Sequence, residues 1–284
     1  PVSPSRFPQP PAWGKMAAPS ASTGLPVTPH PIELITLDLD DTLWPCLEPI
    51  QHAEAAMVAW LADRAPALAQ AMDLEALRAH RRDLMTQCPA IAHDVTVVRR
   101  TSLEMLLEAF GHDPALAVEG MTLFLEHRNQ VEPYPDVIPI LRALAADYRL
   151  VSVTNGNSDI DRTPLRGLFH RSLTAAEVGA ARPDPALFQA ALDWAGLAPH
   201  QALHIGDHPV YDVQAARDHG MAVLWVNRYG QTWPVELEPP LVEIADLHGL
   251  ARWLRGWAVE QGRGQGSDEG GRQGAGHGST EEMK

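Results

Sequence analysis

Four short apolar runs rich in β-branched residues constrain this chain more than any other feature: Ile32 to Leu39, Leu150 to Thr154, Ala202 to Ile205 and Ala222 to Val226. Runs of this length that are apolar throughout, rather than alternating, read as strands buried on both faces. Between and after them lie helical patterns. Val137 to Tyr148 puts Ile138, Leu141, Leu144 and Ala145 on one face, Pro185 to Trp194 does so with Leu187, Phe188, Ala191 and Leu192, and Val210 to His219 repeats the spacing with small apolar residues. Strands alternating with helices predict an α/β fold, a Rossmann-like parallel sheet with right-handed crossovers.

The first and second runs lie over a hundred residues apart, far more than one crossover helix needs. Four amphipathic stretches fill the gap: Ile50 to Arg64, Leu74 to Met85, Val95 to Phe110 and Pro114 to His127. Joined by short turns, they predict an inserted α-helical cap, a four-helix bundle. Residues 1–31 hold nine of the 25 prolines and predict a disordered leader over 1–30. Residues 259–284 hold eight of the 21 glycines and predict a disordered tail. The expected division is therefore a core of 31–48 and 131–258, with the cap at 49–130.

Composition narrows the function. Of 284 residues, 22 are basic and 36 acidic, and the formal net charge of -14 disfavours nucleic acid and anionic membranes as partners. No apolar stretch reaches membrane-spanning length, and no secretory layout opens the chain. Cys46 and Cys88 are too few for a disulfide framework, so a cytoplasmic setting with free thiols is expected. The histidines lack zinc-ligand spacing.

Ligands of open parallel sheets bind beyond the carboxyl ends of the strands. The residues placed there are Asp38-Leu39-Asp40, Thr154-Asn155-Gly156-Asn157 and Gly206-Asp207, with Asp212 five residues further on. Asp38 and Asp40 are two apart and face one side if the chain is extended. Carboxylates held close raise one another's pKa unless a cation relieves them, and oxygen-only donors at this density suit Mg²⁺. Any one of these aspartates alone would read first as a strand-end or helix cap; it is their joint placement at strand ends that points to a site.

Asp38-Leu39-Asp40-Asp41-Thr42, Thr154, Arg182-Pro183-Asp184, and Gly206-Asp207 with Asp212 resemble, in order and spacing, the four motifs of the haloacid dehalogenase-like hydrolase superfamily. The resemblance spans the whole predicted core, and the helical insertion is similar to one type of cap in that family. It implies that Asp38 is a nucleophile forming an aspartyl-phosphate and that Asp40 is general acid and then general base. It implies that Asp38, Asp207 and the Asp40 carbonyl hold Mg²⁺, with Asp212 an outer ligand. Thr154, Asn155 and Arg182 are implied to bind the phosphoryl group. The family's third motif usually supplies lysine, whereas here the position is Arg182, and the only lysines are Lys15 and Lys284.

The second aspartate, Asp40, favours phosphoryl transfer over carbon–halogen cleavage within this resemblance. His93-Asp94-Val95-Thr96, Thr154 to Asn157 and Gln231-Thr232-Trp233 are similar to the bacterial subgroup containing 5-amino-6-(5-phospho-D-ribitylamino)uracil phosphatases, which also act on FMN. The expectation is a phosphatase of a small phosphorylated metabolite, monomeric or homodimeric. A phosphomutase and a non-catalytic binding protein on the same fold stay open, as do two readings of His93, Arg99 and Arg100: ring contacts, or a solvated helix face with Asp94 as its cap.

Overall fold

In the computed structural model, residues 31–266 are described, with side chains described through residue 257. The leader expected over 1–30 and the tail beyond 266 lie outside these residues. Strand β1 (Leu34–Leu37) has every residue buried and sits at the middle of a six-stranded sheet. Its neighbours are β2 (Arg149–Thr154) on one side and β4 (Ala202–Gly206) on the other. With β3 (Arg171–Thr174), β5 (Ala222–Val226) and β6 (Glu243–Ile244), the order is β3-β2-β1-β4-β5-β6, and every pairing is parallel. This is the Rossmann-like arrangement expected.

The period of two along each strand sorts side chains into two layers. Ile35, Leu37, Leu203 and Ile205 point into one layer, closed by α6 (Val137–Leu144) and α10 (Leu247–Gly266). Leu34, Val151, Val153 and Ala202 point into the other, against Leu187, Phe188 and Ala191 of α8 (Ala186–Ala195), which follows the single turn of α7 (Ala175–Val178). A large apolar side chain fully buried in this way contributes roughly 1.5–3 kcal/mol. Thr36 and His204 share the second layer, where Thr36 Oγ1 lies 2.9 Å from His204 Nδ1 and the imidazole meets the Phe188 ring edge at 4.8 Å.

Between β1 and β2 the chain forms α1 (Leu47–Arg64), α2 (Pro66–Ala71), α3 (Leu74–Gln87), α4 (Val95–Ala109) and α5 (Leu116–Arg128). These helices share a hydrophobic cluster of their own around Met57, Leu61, Leu107, Met121 and Phe124. Gly120 lets α1 and α5 approach closely, since a Cβ there would lie 2.9 Å from the Trp60 ring. Asp94 caps α4, accepting from Thr96 N and Val97 N at 2.9 Å each, so its capping reading holds.

Several elements depart from the expectation. Helix α2 makes the insertion five helices rather than four; Pro66 at its first position is preorganised for a new helical start. Strand β3 carries one buried apolar residue, Leu173, and β6 spans two residues, so neither edge strand shows an apolar run. Helix α10 continues through Gly266, into the segment read as a tail. Buried Leu247, Leu250 and Leu254 anchor its start, and each added residue then extends an existing hydrogen-bond ladder. The helix read over Val210 to His219 opens as a wide π turn, Pro209–Gln214, before α9 (Ala215–Asp218). Among the described residues no helix is long and apolar enough to cross a membrane, and both cysteines are free.

Candidate active site

Asp38 leaves β1 and Asp207 leaves β4, adjacent strands flanking the point where the strand order reverses. Asp212 comes from the wide turn after β4 and is buried. One carboxylate oxygen from each of the three lies within 4.8 Å of the others. Asp212 reaches this place because residue 206 is glycine: a Cβ there would sit 2.2 Å from the Asp212 carboxyl carbon.

Arg182 lies between these acids. Its Nη2 donates to Asp38 Oδ1 and its Nη1 to Asp212 Oδ1, with the side chain almost wholly buried. Thr42 Oγ1 lies 3.2 Å from Asp207 Oδ1 and 3.5 Å from Asp38 Oδ2. Asp212 also receives His208 N at 2.8 Å and meets His204 Nε2 at 3.1 Å. Trp225 Nε1 donates to the Asp207 carbonyl at 2.6 Å, and Trp233 packs edge-on against that indole.

The charges are unevenly relieved. Burial pushes Asp38 up to about 7, opposed by Arg182 and reinforced by Asp212 and Asp40. Burial likewise raises Asp207 well above the carboxylate range, with the charges of Asp212 and Asp38 adding. For Asp212 burial is outweighed by Arg182 and His204, which hold it down at about 2. His204 itself is driven toward the neutral form by burial. One guanidinium bridges buried Asp38 and Asp212 with half-buried Asp207 beside them, so the donor set fits a small divalent cation: oxygen ligands only, convergent, and in charge excess. Asp38, Asp207 and Asp212 are the side chains that would hold Mg²⁺.

Asp40 stands apart from this cluster. Its carboxylate accepts Arg128 Nη2 at 2.5 and 2.6 Å and Trp44 Nε1 at 2.8 Å, so its side chain is no metal ligand here. Thr154 Oγ1 accepts Gly156 N at 2.9 Å, which leaves the hydroxyl hydrogen to donate elsewhere. Asn155 turns its side chain toward the Arg182 main chain. Its side-chain amide clamps the Arg182 main chain, donating to Arg182 O at 2.9 Å and accepting from Arg182 N at 2.8 Å. It thereby positions the guanidinium.

Sequence reasoning missed Arg128, Trp44 and His204. Trp44 follows the first aspartate pair closely and could have been found from that spacing; Arg128, 88 residues from Asp40, carries no local signal. In the helical insertion Arg99 is largely buried rather than on a solvated face. It stacks on Phe124 at 3.8 Å and faces buried Glu54, which also binds Arg81 at 3.0 Å and Arg78. Arg100 is on the surface with Glu104. Burial pushes the Cys46 thiol up, in keeping with an inert residue. His208 caps the wide turn through Nδ1 and stacks on Tyr211.

A parallel sheet with clustered carboxylates beyond β1 and β4, and a helical insertion after the first of them, defines a Rossmann-like α/β protein with an aspartate-based site. The haloacid dehalogenase-like hydrolase model matches residues 32–220. The chain belongs to that family. It is 31% identical to the 5-amino-6-(5-phospho-D-ribitylamino)uracil phosphatase YigB of Escherichia coli strain K12, over 77% of this chain and 94% of the relative. It is 35% identical to the phosphoserine phosphatase of Thermus thermophilus, over 50% of this chain and 59% of that one. Among solved structures, a 2-haloacid dehalogenase from Pseudomonas syringae pv. Tomato DC3000 aligns with a TM-score of 0.73 at 39% identity, covering 78% of this chain and 99% of that one.

Proposed function

We propose that this hydrolase is a Mg²⁺-dependent phosphatase of small phosphorylated metabolites, acting through an aspartyl-phosphate on Asp38, with a ribityl phosphate such as 5-amino-6-(5-phospho-D-ribitylamino)uracil or FMN as substrate. The observation that carries it is the separation of two kinds of carboxylate. Asp38, Asp207 and Asp212 converge within 4.8 Å, while Asp40 is turned onto Arg128 and Trp44 beside them. The relation to YigB supports the substrate. The 31–48 and 131–258 core would hold these groups, with residues 49–130 as the lid.

Bound Mg²⁺ would neutralise charge on the phosphate so that an anionic nucleophile can approach. Asp38 attacks phosphorus in line, and the ester oxygen departs with a proton from Asp40. Asp40 then takes a proton from water as that water attacks the phosphorus of the aspartyl-phosphate, releasing phosphate and restoring Asp38. Arg128 and Trp44 fix the Asp40 carboxyl through both steps. Thr154 Oγ1 donates to a phosphoryl oxygen, and Arg182 keeps Asp38 aimed while its charge steadies the oxygens in the transition state.

Phosphate release from FMN and the ribitylaminouracil phosphate, with and without Mg²⁺, tests this. Asp38→Asn should lower turnover at least about a thousandfold while leaving the fold intact; an undiminished rate would overturn the mechanism. Likeness to the Pseudomonas syringae protein makes carbon–halogen cleavage the second reading. Halide release from a 2-haloacid, without phosphate release from any ester, would favour it.

A further inference from the structure

The helical insertion carries a cationic cluster that the proposed chemistry does not use. Glu54 of α1 is 3% exposed, and guanidiniums from α3 and α4 surround it. Arg78 binds both its oxygens, Nε donating to Oε1 at 3.3 Å and Nη2 to Oε2, and Arg81 Nη2 donates to Oε1 at 3.0 Å. These two satisfy the carboxylate. Arg99 is surplus to it: its Nη1 stands 3.7 Å from Oε1, beyond hydrogen-bonding distance.

The Arg99 guanidinium lies 3.8 Å from the centre of the Phe124 ring, a contact that gives its charge a partner and its N–H donors no acceptor oxygen. Among the described residues those donors find no hydrogen bond, on a side chain 16% exposed. Burial, with the charge of Arg81 adding, pushes Arg99 down to about 9, so the cluster is short of negative charge. Glu75 does not make up the difference. It is exposed, lies 3.9 Å from Arg78 and is already bound by Arg82 at 2.7 Å. Largely buried donors ordinarily find acceptors, and forked guanidiniums match the oxygens of phosphate and carboxylate.

The position of Arg99 is set by two helices. Thr96, one turn earlier on the same face of α4, lines a cleft of about 530 Å³ between the core and the insertion, and accepts Asn157 Nδ2 from the core at 3.1 Å. Phe124 lies one turn before Arg128 on α5, and Arg128 holds Asp40. We infer that Arg99, backed by Arg81 and Arg78, is an anion site of the helical insertion, taking the oxygens of a phosphate or carboxylate group. Two sources share that chemistry: a free oxyanion, and a second anionic group on a substrate in the cleft. The site stands apart from the phosphatase reading; only the choice of source rests on it.

Thermal unfolding with inorganic phosphate tests the site, with EDTA present so that no metal draws phosphate to Asp38, and with chloride at equal ionic strength as reference. The wild type should gain about 3 °C or more in Tm once phosphate reaches about ten times its Kd. Arg99→Gln should lose that gain. Arg100→Gln removes the same charge from the surface neighbour paired with Glu104 and should keep it. A gain kept in Arg99→Gln, or lost equally in both variants, overturns the inference. So does a wild type that gains nothing over chloride, a result that needs no variant to fold. The ratio of kcat/KM between 2-phosphoglycolate, which carries a carboxylate, and propyl phosphate, which does not, then identifies the source. A fall of about tenfold or more in that ratio in Arg99→Gln assigns the site to the second anion of a substrate. A ratio held within about twofold, with the phosphate gain lost, assigns it to a free oxyanion. Absence of phosphate release from both esters and from FMN would remove the phosphatase reading and leave the anion site to the thermal result.

Discussion

Arg182 is the residue on which the charge balance of the site turns. It bridges Asp38 and Asp212, all three almost wholly buried. Arg182→Met leaves two carboxylates facing one another without a guanidinium and should cost about 3–5 kcal/mol in urea unfolding with EDTA present, part of it regained on adding Mg²⁺. Gly206 makes a steric counterpart. With 2.2 Å between an added Cβ and the Asp212 carboxyl, Gly206→Ala must displace that acid, costing about 1–3 kcal/mol and most of the turnover, as measured by urea unfolding and phosphate release. Asp38, Asp40, Asp207 and Asp212 were legible in sequence because strand-end position and close spacing are local properties. Arg128 was not, because its partner Asp40 comes from a distant turn. The Asn155 contact with the Arg182 main chain was not legible either: an amide in a strand-end turn looks the same in sequence whether it faces ligand or backbone.

At the scale of elements, helix α4 depends on its first turn. Asp94 satisfies two main-chain donors, Thr96 N and Val97 N, that have no partner within the helix. Asp94→Ala should destabilise the helical insertion by roughly 0.5–2 kcal/mol, read as a lowered urea midpoint. The same turn reaches the core, since Asn157 Nδ2 donates to Thr96 Oγ1 at 3.1 Å, so fraying there would loosen the cleft wall. Fully buried strands announced themselves by continuous apolar runs, and β5 has the predicted bounds. Strand β3 did not, because an edge strand needs one apolar face at most and Arg171-Ser172-Leu173-Thr174 meets that need with Leu173 alone. The wide turn at Pro209–Gln214 was invisible for another reason: its small-apolar spacing suits an ordinary helix equally well.

Across the whole molecule, the acids link protonation, metal and stability. Asp38 is raised from 3.8 to about 7, so its buried proton stabilises the metal-free fold fully below 3.8 and that contribution is lost as pH rises through about 7. A metal must displace this proton, so binding weakens below about 7. The gain in Tm on adding Mg²⁺ should be larger at pH 8 than at pH 5.5, and in Asp38→Asn the difference should shrink, as thermal unfolding in both buffers would record. The architecture of the sheet also bears on how the polypeptide is assembled. Leu34 of β1 pairs with Arg149 on one side and Ala202 on the other, and the five helices of the insertion emerge between them. During synthesis, therefore, the wholly buried strand β1 waits without partners while the insertion, whose helices are locally hydrogen-bonded, acquires its helices first. Pulse-labelled hydrogen exchange during refolding would find α1, α4 and α5 protected ahead of β1, and the clustered acids would come together only when the last central strand docks.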